Sequence, residues 1–194
     1  MKLKFDKEKH YLKVMFENSS QYEGGSYEYK IGEINIANNW NPNDNENTGG
    51  FNFSVEDKIA RWLVRGDTLY DVTVPEDAEI IEIKRESSPN GVFRTNKIIL
   101  TNPRKITDEI ALELYKKSNL PEKSYFETIP GYALRGHINA TKEIIKDKVN
   151  KDNIDIAIKE YENFYRGHTQ EEKENYNKIL SYLNEIKSRF TKMT

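Results

Sequence analysis

The stretch Gly49-Gly50-Phe51-Asn52-Phe53-Ser54 joins a pair of glycines to a short aromatic strand and a serine. Residues without side chains let backbone N–H groups approach a bound anion, so this stretch is a candidate phosphate site. Neither GxGxxG nor GxxxxGK surrounds the pair, however, and a turn that requires positive φ explains both glycines more simply. Ser54 fits the N-cap of a helix that begins after it, with Asp57 three residues on. The turn is therefore the favoured interpretation.

Histidine and cysteine chemistry are both restricted by the sequence. The three histidines, His10, His137 and His168, are far apart, and no two have the spacing of ligands on one helix turn. The chain has no cysteine, which excludes a disulfide framework, a thiolate zinc site and a cysteine nucleophile. The loop around Asp44 lacks the central glycine and the closing glutamate of a calcium loop. We therefore expect no metal site and no resident cofactor from these residues.

Carboxylates are abundant, but their spacing does not identify a catalyst. Glu79 and Glu82 are three residues apart on a predicted strand, so they face opposite sides of the sheet and only one could enter a given pocket. The 32 acidic residues are balanced by 30 basic ones, for a net charge of -2. Because acidic residues are mixed with the basic ones throughout, a solvated mixed-charge surface is favoured over a nucleic-acid site.

The elements that would position these residues change character near Thr101. Up to that point apolar residues recur with a period of two, which is typical of strands, and turn-forming residues dominate the long loop 38–50. A helix is predicted after Ser54 and ends at Gly66. The predicted strands are 2–5, 12–16, 27–31 with 33–36, 51–53, 68–74, 79–83 and 97–100, with a turn at 88–91.

From Thr107 the apolar period becomes 3.6, which predicts helices. Thr107 is the expected cap of the first helix, Pro130 should bend or split the second, and Thr169 with Glu172 forms a capping box for the last. We therefore predict an α+β fold. An N-terminal antiparallel β-rich core with one inserted helix (residues 1–104) is followed by a C-terminal helical half (residues 105–194) that packs on it.

Two further features bear on assembly and location. The last helix carries a heptad-like seam about two heptads long, formed by Ile179, Leu183, Ile186 and Phe190. Docking of this seam on its own chain is favoured over dimerisation. We therefore expect a monomer, or a weak dimer through the C-terminal helix.

No segment approaches the ~20 apolar residues that span a bilayer, and the first residues lack the apolar block of a signal peptide. A cytoplasmic protein without a membrane partner is predicted.

The order of elements from about Tyr27 to Leu100 supports a resemblance. The order is a strand, then Gly-Gly-Phe-Asn-Phe-Ser, then a helix, then Thr-Leu-Tyr-Asp-Val-Thr-Val-Pro, and finally Glu-Ile-Ile-Glu-Ile. This order resembles the second half of an ADP-ribosyltransferase-like core. The phrases Gly-Asp-Thr-Leu-Tyr-Asp-Val, Val-Pro-Glu-Asp-Ala-Glu and Asn-Lys-Ile-Ile also resemble uncharacterised proteins of phages, large viruses and low-GC bacteria.

The resemblance to ADP-ribosyltransferases implies a set of site residues. Gly50, Phe53 and Ser54 would lie at an NAD site, and Ser54 and Glu82 would be the catalytic residues. The family places its catalytic glutamate just before the last core strand, where the segment 93–97, Phe-Arg-Thr-Asn-Lys, offers no carboxylate. An oxocarbenium-like transition state needs a nearby anion, so this departure implies a catalytically silent copy of the core.

Two functions from different classes follow. The first is a binding protein, encoded by a phage or another mobile element, that inhibits a host protein as anti-CRISPR-type proteins do. Two observations favour the binding protein. The sequence lacks a complete set of catalytic residues, and its 12 tyrosines suit protein interfaces. The alternative is an ADP-ribosyltransferase-like enzyme that transfers ADP-ribose from NAD to a macromolecule. The binding protein ranks ahead of the enzyme.

Overall fold

A computed structural model describes residues 5–22, 25–44, 47–84, 90–164 and 166–192 of the chain, and the fold is α+β as predicted. An antiparallel sheet occupies the N-terminal half and helices occupy the C-terminal half. The chain forms two compact units. The sheet unit comprises Met1–Ile59 and Arg65–Ile106, and the helical unit comprises Ala60–Val64 and Thr107–Thr194.

The strands of the described residues form one large sheet and one hairpin. They are β1 (Tyr11–Met15), β2 (Ser19–Tyr22), β3 (Gly25–Glu28), β4 (Ile34–Ile36), β5 (Phe51–Val55), β6 (Thr68–Thr73), β7 (Ile80–Glu82), β8 (Val92–Thr95) and β9 (Lys97–Lys105). β2 and β3 form the hairpin, and the others form a seven-stranded sheet in the order β4-β9-β6-β1-β5-β8-β7. Each neighbouring pair is antiparallel.

β1 lies at the centre of the sheet, and its sequence explains why. All five residues, Tyr-Leu-Lys-Val-Met, are buried, so the strand is covered on both faces. A short and nearly continuous apolar run is typical of such strands. Leu12 pairs with Ser54 of β5 on one side and with Asp71 of β6 on the other. The charged residue in this run, Lys13, is therefore unusual for its position.

One face of the sheet carries a layer of aromatic rings. Phe53 of β5 stacks on Phe93 of β8 with 5.4 Å between ring centroids. Tyr11 of β1 meets both rings edge-on, at 5.6 and 5.7 Å. Phe5, which precedes β1, lies 4.5 Å from the ring of Tyr11. Because each such pair contributes about 0.5–1.5 kcal/mol beyond the burial of its area, this layer holds β1, β5 and β8 together.

The helix that follows β5 differs from the prediction in its type and its first residue. It is a 3₁₀ helix, Glu56–Arg65, and Ser54 lies inside β5 rather than at the N-cap. The Ser54 hydroxyl is buried and makes no hydrogen bond with the described residues, so the predicted cap is wrong. Gly66 follows the helix for a steric reason, since a Cβ there would lie 2.1 Å from the backbone of Met15.

The prediction of strands was incomplete where the local pattern is polar or irregular. The structure adds β2 and β8, whose sequences Ser-Ser-Gln-Tyr and Val-Phe-Arg-Thr do not alternate cleanly, and it extends the last strand to Lys105. Phe5 is not part of a strand. The predicted strand residues 2–4 and the turn residues 88–89 lie outside the described residues.

The helices largely follow the predicted pattern. They are α1 (Asp108–Lys116), α2 (Glu122–Leu134), α3 (Ile138–Lys148), α4 (Ile154–Asn163) and α5 (Gln170–Lys192). Thr107 caps α1 as predicted, because its side chain accepts a hydrogen bond from the N–H of Ile110. Of the predicted bend or split at Pro130, the split is wrong, because α2 continues through this buried residue, where tertiary packing outweighs the lost hydrogen bond. No described helix combines the length and the apolar character needed to cross a membrane.

The helical unit joins α4 and α5 through a pair of tyrosines. The hydroxyl of Tyr161 donates to the carbonyl of Tyr176 at 2.9 Å, and the hydroxyl of Tyr176 donates to the carbonyl of Tyr161 at 3.0 Å. In the seam of α5, Ile179 and Leu183 are buried, and the later residues Ile186 and Phe190 are half-buried. The first half of the seam therefore packs within its own unit, against α2 and α4.

Candidate functional site

The double glycine that precedes β5 closes the loop 38–50. Gly49 and Gly50 have φ values of 66° and 70°, which is the left-handed region that favours glycine. A Cβ at Gly50 would lie 2.5 Å from the ring of Trp40, and the N–H of Gly50 faces Oδ1 of Asn39 at 3.5 Å. The indole of Trp40 in turn donates to Glu79 at 2.7 Å. The turn interpretation of the glycines therefore agrees with the observed backbone.

Phe53 and Ser54, the two neighbouring site residues on β5, point to opposite faces of the sheet. Phe53 pairs with Phe93 of β8 and belongs to the aromatic layer. Ser54 pairs with Val92, and because successive side chains of a strand alternate, its hydroxyl faces away from that layer. The structure therefore brings Phe53, but not Ser54, to the aromatic face.

A cleft of about 290 Å³ opens beside the aromatic layer. Its walls come from the segment before β1 and from strands β1, β5, β7 and β8. Phe53 and Glu82, two of the residues implied by the resemblance, both line this cleft, whereas Ser54 and Gly50 do not. The lining residues are Phe5, Asp6, Lys9, Tyr11, Phe53, Ile80, Glu82 and Phe93.

Glu82 is the carboxylate on the strand side of the cleft. It pairs with Phe93 across β7 and β8, which places its side chain on the aromatic face. Its Oε1 accepts a hydrogen bond from the N–H of Gly91 at 2.8 Å. Among the described residues no other group bonds to this carboxylate.

The rim of the cleft is formed by the segment before β1. Oδ1 of Asp6 accepts a hydrogen bond from the N–H of Glu8 at 3.0 Å, and its Oδ2 lies 3.9 Å from Nζ of Lys9. Tyr11 contributes its ring below the rim. Burial raises the pKa of Tyr11, and a hydrogen bond from the Asp6 backbone opposes this only in part. Tyr11 is therefore a neutral phenol, and the cleft contains two carboxylates against one ammonium group.

Lys13, two residues after Tyr11, is a buried cation that the sequence analysis did not select. It is 3% exposed, and its Nζ donates to the backbone oxygen of Asn52 at 2.8 Å and to Oδ1 of Asn52 at 2.5 Å. The ring of Tyr29 lies 5.4 Å from Nζ. Burial, with a smaller effect of the Arg94 charge, lowers the pKa of Lys13 to about 7. The available signal was positional, since the period of two places Lys13 on the same face as apolar neighbours.

A second polar group surrounds Asp71 on β6. Its Oδ1 lies 2.7 Å from Nη2 of Arg104 and 3.0 Å from Nε2 of His10, and Oδ2 accepts from Asn102 at 2.8 Å. Burial raises the pKa of Asp71, but the hydrogen bonds from Arg104, Asn102 and His10 outweigh it, so the pKa lies well below its usual range. The other ring nitrogen of His10 faces Glu56 at 3.4 Å. The side chains of His10, Asp71 and Arg104 are partly exposed to solvent.

The segment 93–97, where the resemblance would place a catalytic glutamate, carries side chains with structural partners. Arg94 donates from Nη1 to the carbonyl of Gly49 at 3.2 Å, and Oδ1 of Asn96 accepts from the N–H of Glu79 at 2.8 Å. Both contacts anchor the loop 38–50 and the start of β7. No group of three or more His, Asp or Glu side chains within the described ranges could hold a metal ion.

The described residues of the sheet unit thus form a cleft whose walls are aromatic and whose charged groups are mainly acidic. Two of its lining residues, Phe53 and Glu82, were predicted from the sequence, and the six others were not, because they come from distant segments. Neither a family model, nor a curated protein sequence, nor a solved structure matches the chain.

Proposed function

We propose that the chain is a binding protein that recognises a partner protein through the aromatic cleft and inhibits that partner. The observation that carries the proposal is the cleft of about 290 Å³, with aromatic walls and carboxylates at its margin. Protein interfaces concentrate their binding energy in a few anchor side chains that fill such pockets. A phage or mobile-element origin, with a host protein as the partner of an anti-CRISPR-type inhibitor, belongs to the same proposal.

The volume of the cleft supports one anchor side chain as its occupant. Sites for whole small molecules have volumes of roughly 300–1,000 Å³. A cleft of about 290 Å³ lies just below this range and suits a single side chain better than a dinucleotide. The partner's remaining contacts would then lie on the surface around the cleft.

The walls of the cleft favour binding because they are held in place before a ligand arrives. Phe53 and Phe93 stack on each other across paired strands, and Tyr11 packs against both rings. Oε1 of Glu82 is fixed by the N–H of Gly91. Side chains that are already ordered lose little conformational entropy on association, which preserves affinity.

The test compares partner capture by the full wild-type chain and by two cleft variants, Phe93→Ser and Lys9→Glu. Lys9 is 60% exposed, so its replacement reports on the rim without disturbing the core. Ile156→Ser is the matched control, because Ile156 is 54% exposed on α4 and does not line the cleft. We expect a protein captured in stoichiometric amounts by the wild type and the control to be lost with Phe93→Ser and to bind with altered affinity in Lys9→Glu. Equal capture by all four proteins would contradict the proposal.

A second candidate, the ADP-ribosyltransferase-like enzyme that uses NAD, is favoured by one observation. Phe53 and Glu82 line the same cleft although they are far apart in sequence. Incubation with labelled NAD and a lysate tests this candidate. Label transfer that is lost in Glu82→Gln but kept in Ser54→Ala, whose hydroxyl faces away from the cleft, would support the enzyme and oppose a pure binding protein. The absence of both label transfer and nicotinamide release would remove it.

A further inference from the structure

We infer that the cleft is the receptor for the guanidinium group of one arginine side chain of the partner. This inference rests on the proposed function and identifies the side chain of the partner that fills the cleft. Aromatic faces and carboxylates occur together in the walls, and this combination attracts a planar cation on an apolar stem.

The charges that face the cleft select a cation over an anion. Within the described part of the chain they are the carboxylates of Asp6 and Glu82 and the ammonium group of Lys9, which together give one net negative charge. Lys9 is 60% exposed and lies 3.9 Å from Asp6, so its ion pair is weak and its flexible chain can leave the cleft. A cationic ligand therefore replaces Lys9 beside Asp6 without leaving a buried charge unpaired.

Glu82 supplies the oxygen that would receive the guanidinium. Its Oε1 is held by the N–H of Gly91 at 2.8 Å, and no described residue bonds to its Oε2. A carboxylate with one oxygen fixed and the other open is already oriented for a charge-assisted hydrogen bond. Such bonds are shorter and stronger than those between neutral groups.

The aromatic walls favour arginine over lysine. Phe53 and Phe93 stack with 24° between their planes, and Phe5 and Tyr11 extend the apolar wall towards the rim. A guanidinium is planar and weakly hydrated, so it stacks on aromatic faces, whereas an ammonium is compact and strongly hydrated. The apolar wall and Ile80 would cover the methylene stem, and Glu82 would meet the charged end.

Titration of the full chain with N-acetylarginine amide tests the inference directly, with isoleucine methyl signals followed by NMR. Ile80 lies in the cleft, and Ile36, which is 57% exposed on β4, is the internal control. N-acetylcitrulline amide has the same stem and a planar end group but no charge. We expect a saturable shift of Ile80 and not of Ile36, with binding of the citrulline compound weaker by at least about tenfold, since a charged hydrogen bond is replaced by a neutral one.

Two variants test the role of each carboxylate. Glu82→Gln keeps an oxygen for the N–H of Gly91 and removes the charge, so arginine binding should weaken by at least about tenfold. Asp6→Asn, at an exposed position, should cause a smaller loss and keeps the test informative if Glu82→Gln does not fold. Equal binding of the arginine and citrulline compounds, or tighter binding of N-acetyllysine amide, would overturn the inference.

The outcomes also separate this inference from the proposed function. Partner capture that is lost in Phe93→Ser, together with no binding of N-acetylarginine amide, overturns the guanidinium assignment alone. Binding of N-acetylarginine amide, together with partner capture that no cleft variant reduces, contradicts the proposed function while the specificity of the cleft stands.

Discussion

The sheet unit and the helical unit differ in how they accommodate buried polar groups. In the sheet unit, the buried Lys13 has, among the described residues, only the oxygens of Asn52 as hydrogen-bond acceptors, and the Ser54 hydroxyl has no hydrogen bond to those residues. In the helical unit, Arg135 and Glu172 form an ion pair at 2.9 Å, with side chains that are 14% and 12% exposed. The first arrangement opposes folding, whereas in the second each charge compensates the other, so that removal of either partner is costly.

The difference suggests where function has been retained at the expense of stability. Lys13 and Ser54 lie on β1 and β5, the two strands that carry Tyr11 and Phe53 into the cleft. Buried groups that destabilise a fold tend to persist at functional sites, because stability alone does not select them. In the helical unit, Nε of Arg135 and Nε2 of His137 likewise have no hydrogen bond to the described residues, although Arg135 pairs with Glu172 through Nη2. Burial lowers the pKa of His137, which favours the neutral ring and limits the cost.

The largest expected effect comes from breaking the ion pair of the helical unit. Glu172→Ala should lower the free energy of unfolding by about 3 kcal/mol, because it leaves Arg135 buried without its carboxylate. It also removes the acceptor for the N–H groups of His168 and Thr169 at the start of α5. Urea unfolding followed by circular dichroism measures the change.

Glu171→Ala is the matched control for Glu172→Ala. It removes the same charge from the same first turn of α5, but Glu171 is exposed. The control should change the unfolding free energy by less than about 0.5 kcal/mol. A similar loss in both variants would mean that the helix dipole, and not the pair with Arg135, determines the effect.

The second prediction concerns Lys13 and has the opposite sign. Lys13→Met should raise the free energy of unfolding by about 2 kcal/mol at pH 6, because a buried charge is replaced by an apolar side chain of similar length. Asn52 is exposed, so its freed oxygens can bind water. The measurement is urea unfolding at pH 6, with the exposed Lys116→Met as the control.

The pH dependence of the stability difference between Lys13→Met and the wild type tests whether the charge of Lys13 causes it. Below about pH 7, Lys13 is protonated in the folded and the unfolded chain, so its cost is constant. Between pH 7 and 10.5 only the unfolded chain keeps the proton, so Lys13 adds up to about 1.4 kcal/mol of stability per pH unit as the pH rises. The advantage of Lys13→Met over the wild type should therefore shrink above pH 7 and be lost by about pH 9. An advantage that is constant with pH would exclude a titrating Lys13.

The sequence predicted best those features that depend on neighbouring residues. The capping box of α5 is formed as expected, with the N–H of Glu172 donating to Thr169 Oγ1 at 3.1 Å and the N–H of Thr169 donating to Glu172 at 3.1 Å. The positions of β1 and β6 also follow from their apolar runs. Local propensity is sufficient for such elements because each involves only a few consecutive residues.

Features that depend on distant residues were not accessible from the sequence. The order of strands places β1 between β5 and β6, and no local pattern encodes that choice. The cleft requires Phe5, Ile80 and Phe93 to meet, and these come from three separate segments. Ser54 was assigned to a helix cap because its type and spacing fit one, but pairing with Leu12 and Val92 holds it in β5. Tertiary pairing outweighed local preference at this position.

The third prediction tests the tyrosine pair of the helical unit. Tyr161→Phe should lower the free energy of unfolding by about 1 kcal/mol, because it removes one buried hydrogen bond and leaves the ring in place. Tyr182→Phe is the control, since the Tyr182 hydroxyl makes no hydrogen bond with the described residues, and it should be neutral in the same urea experiment. Equal effects would show that the Tyr161 hydroxyl contributes nothing specific to the contact between α4 and α5.

The smallest predicted effect is again a gain in stability from a substitution in the sheet unit. Ser54→Ala should raise the free energy of unfolding by about 0.5–1 kcal/mol, because it removes a buried hydroxyl that has no hydrogen bond to the described residues. The same variant should leave partner capture and arginine binding unchanged, since Ser54 faces away from the cleft. A loss of stability in urea would mean that this hydroxyl has a partner in solution, and the contrast between the two units would then rest on Lys13 alone.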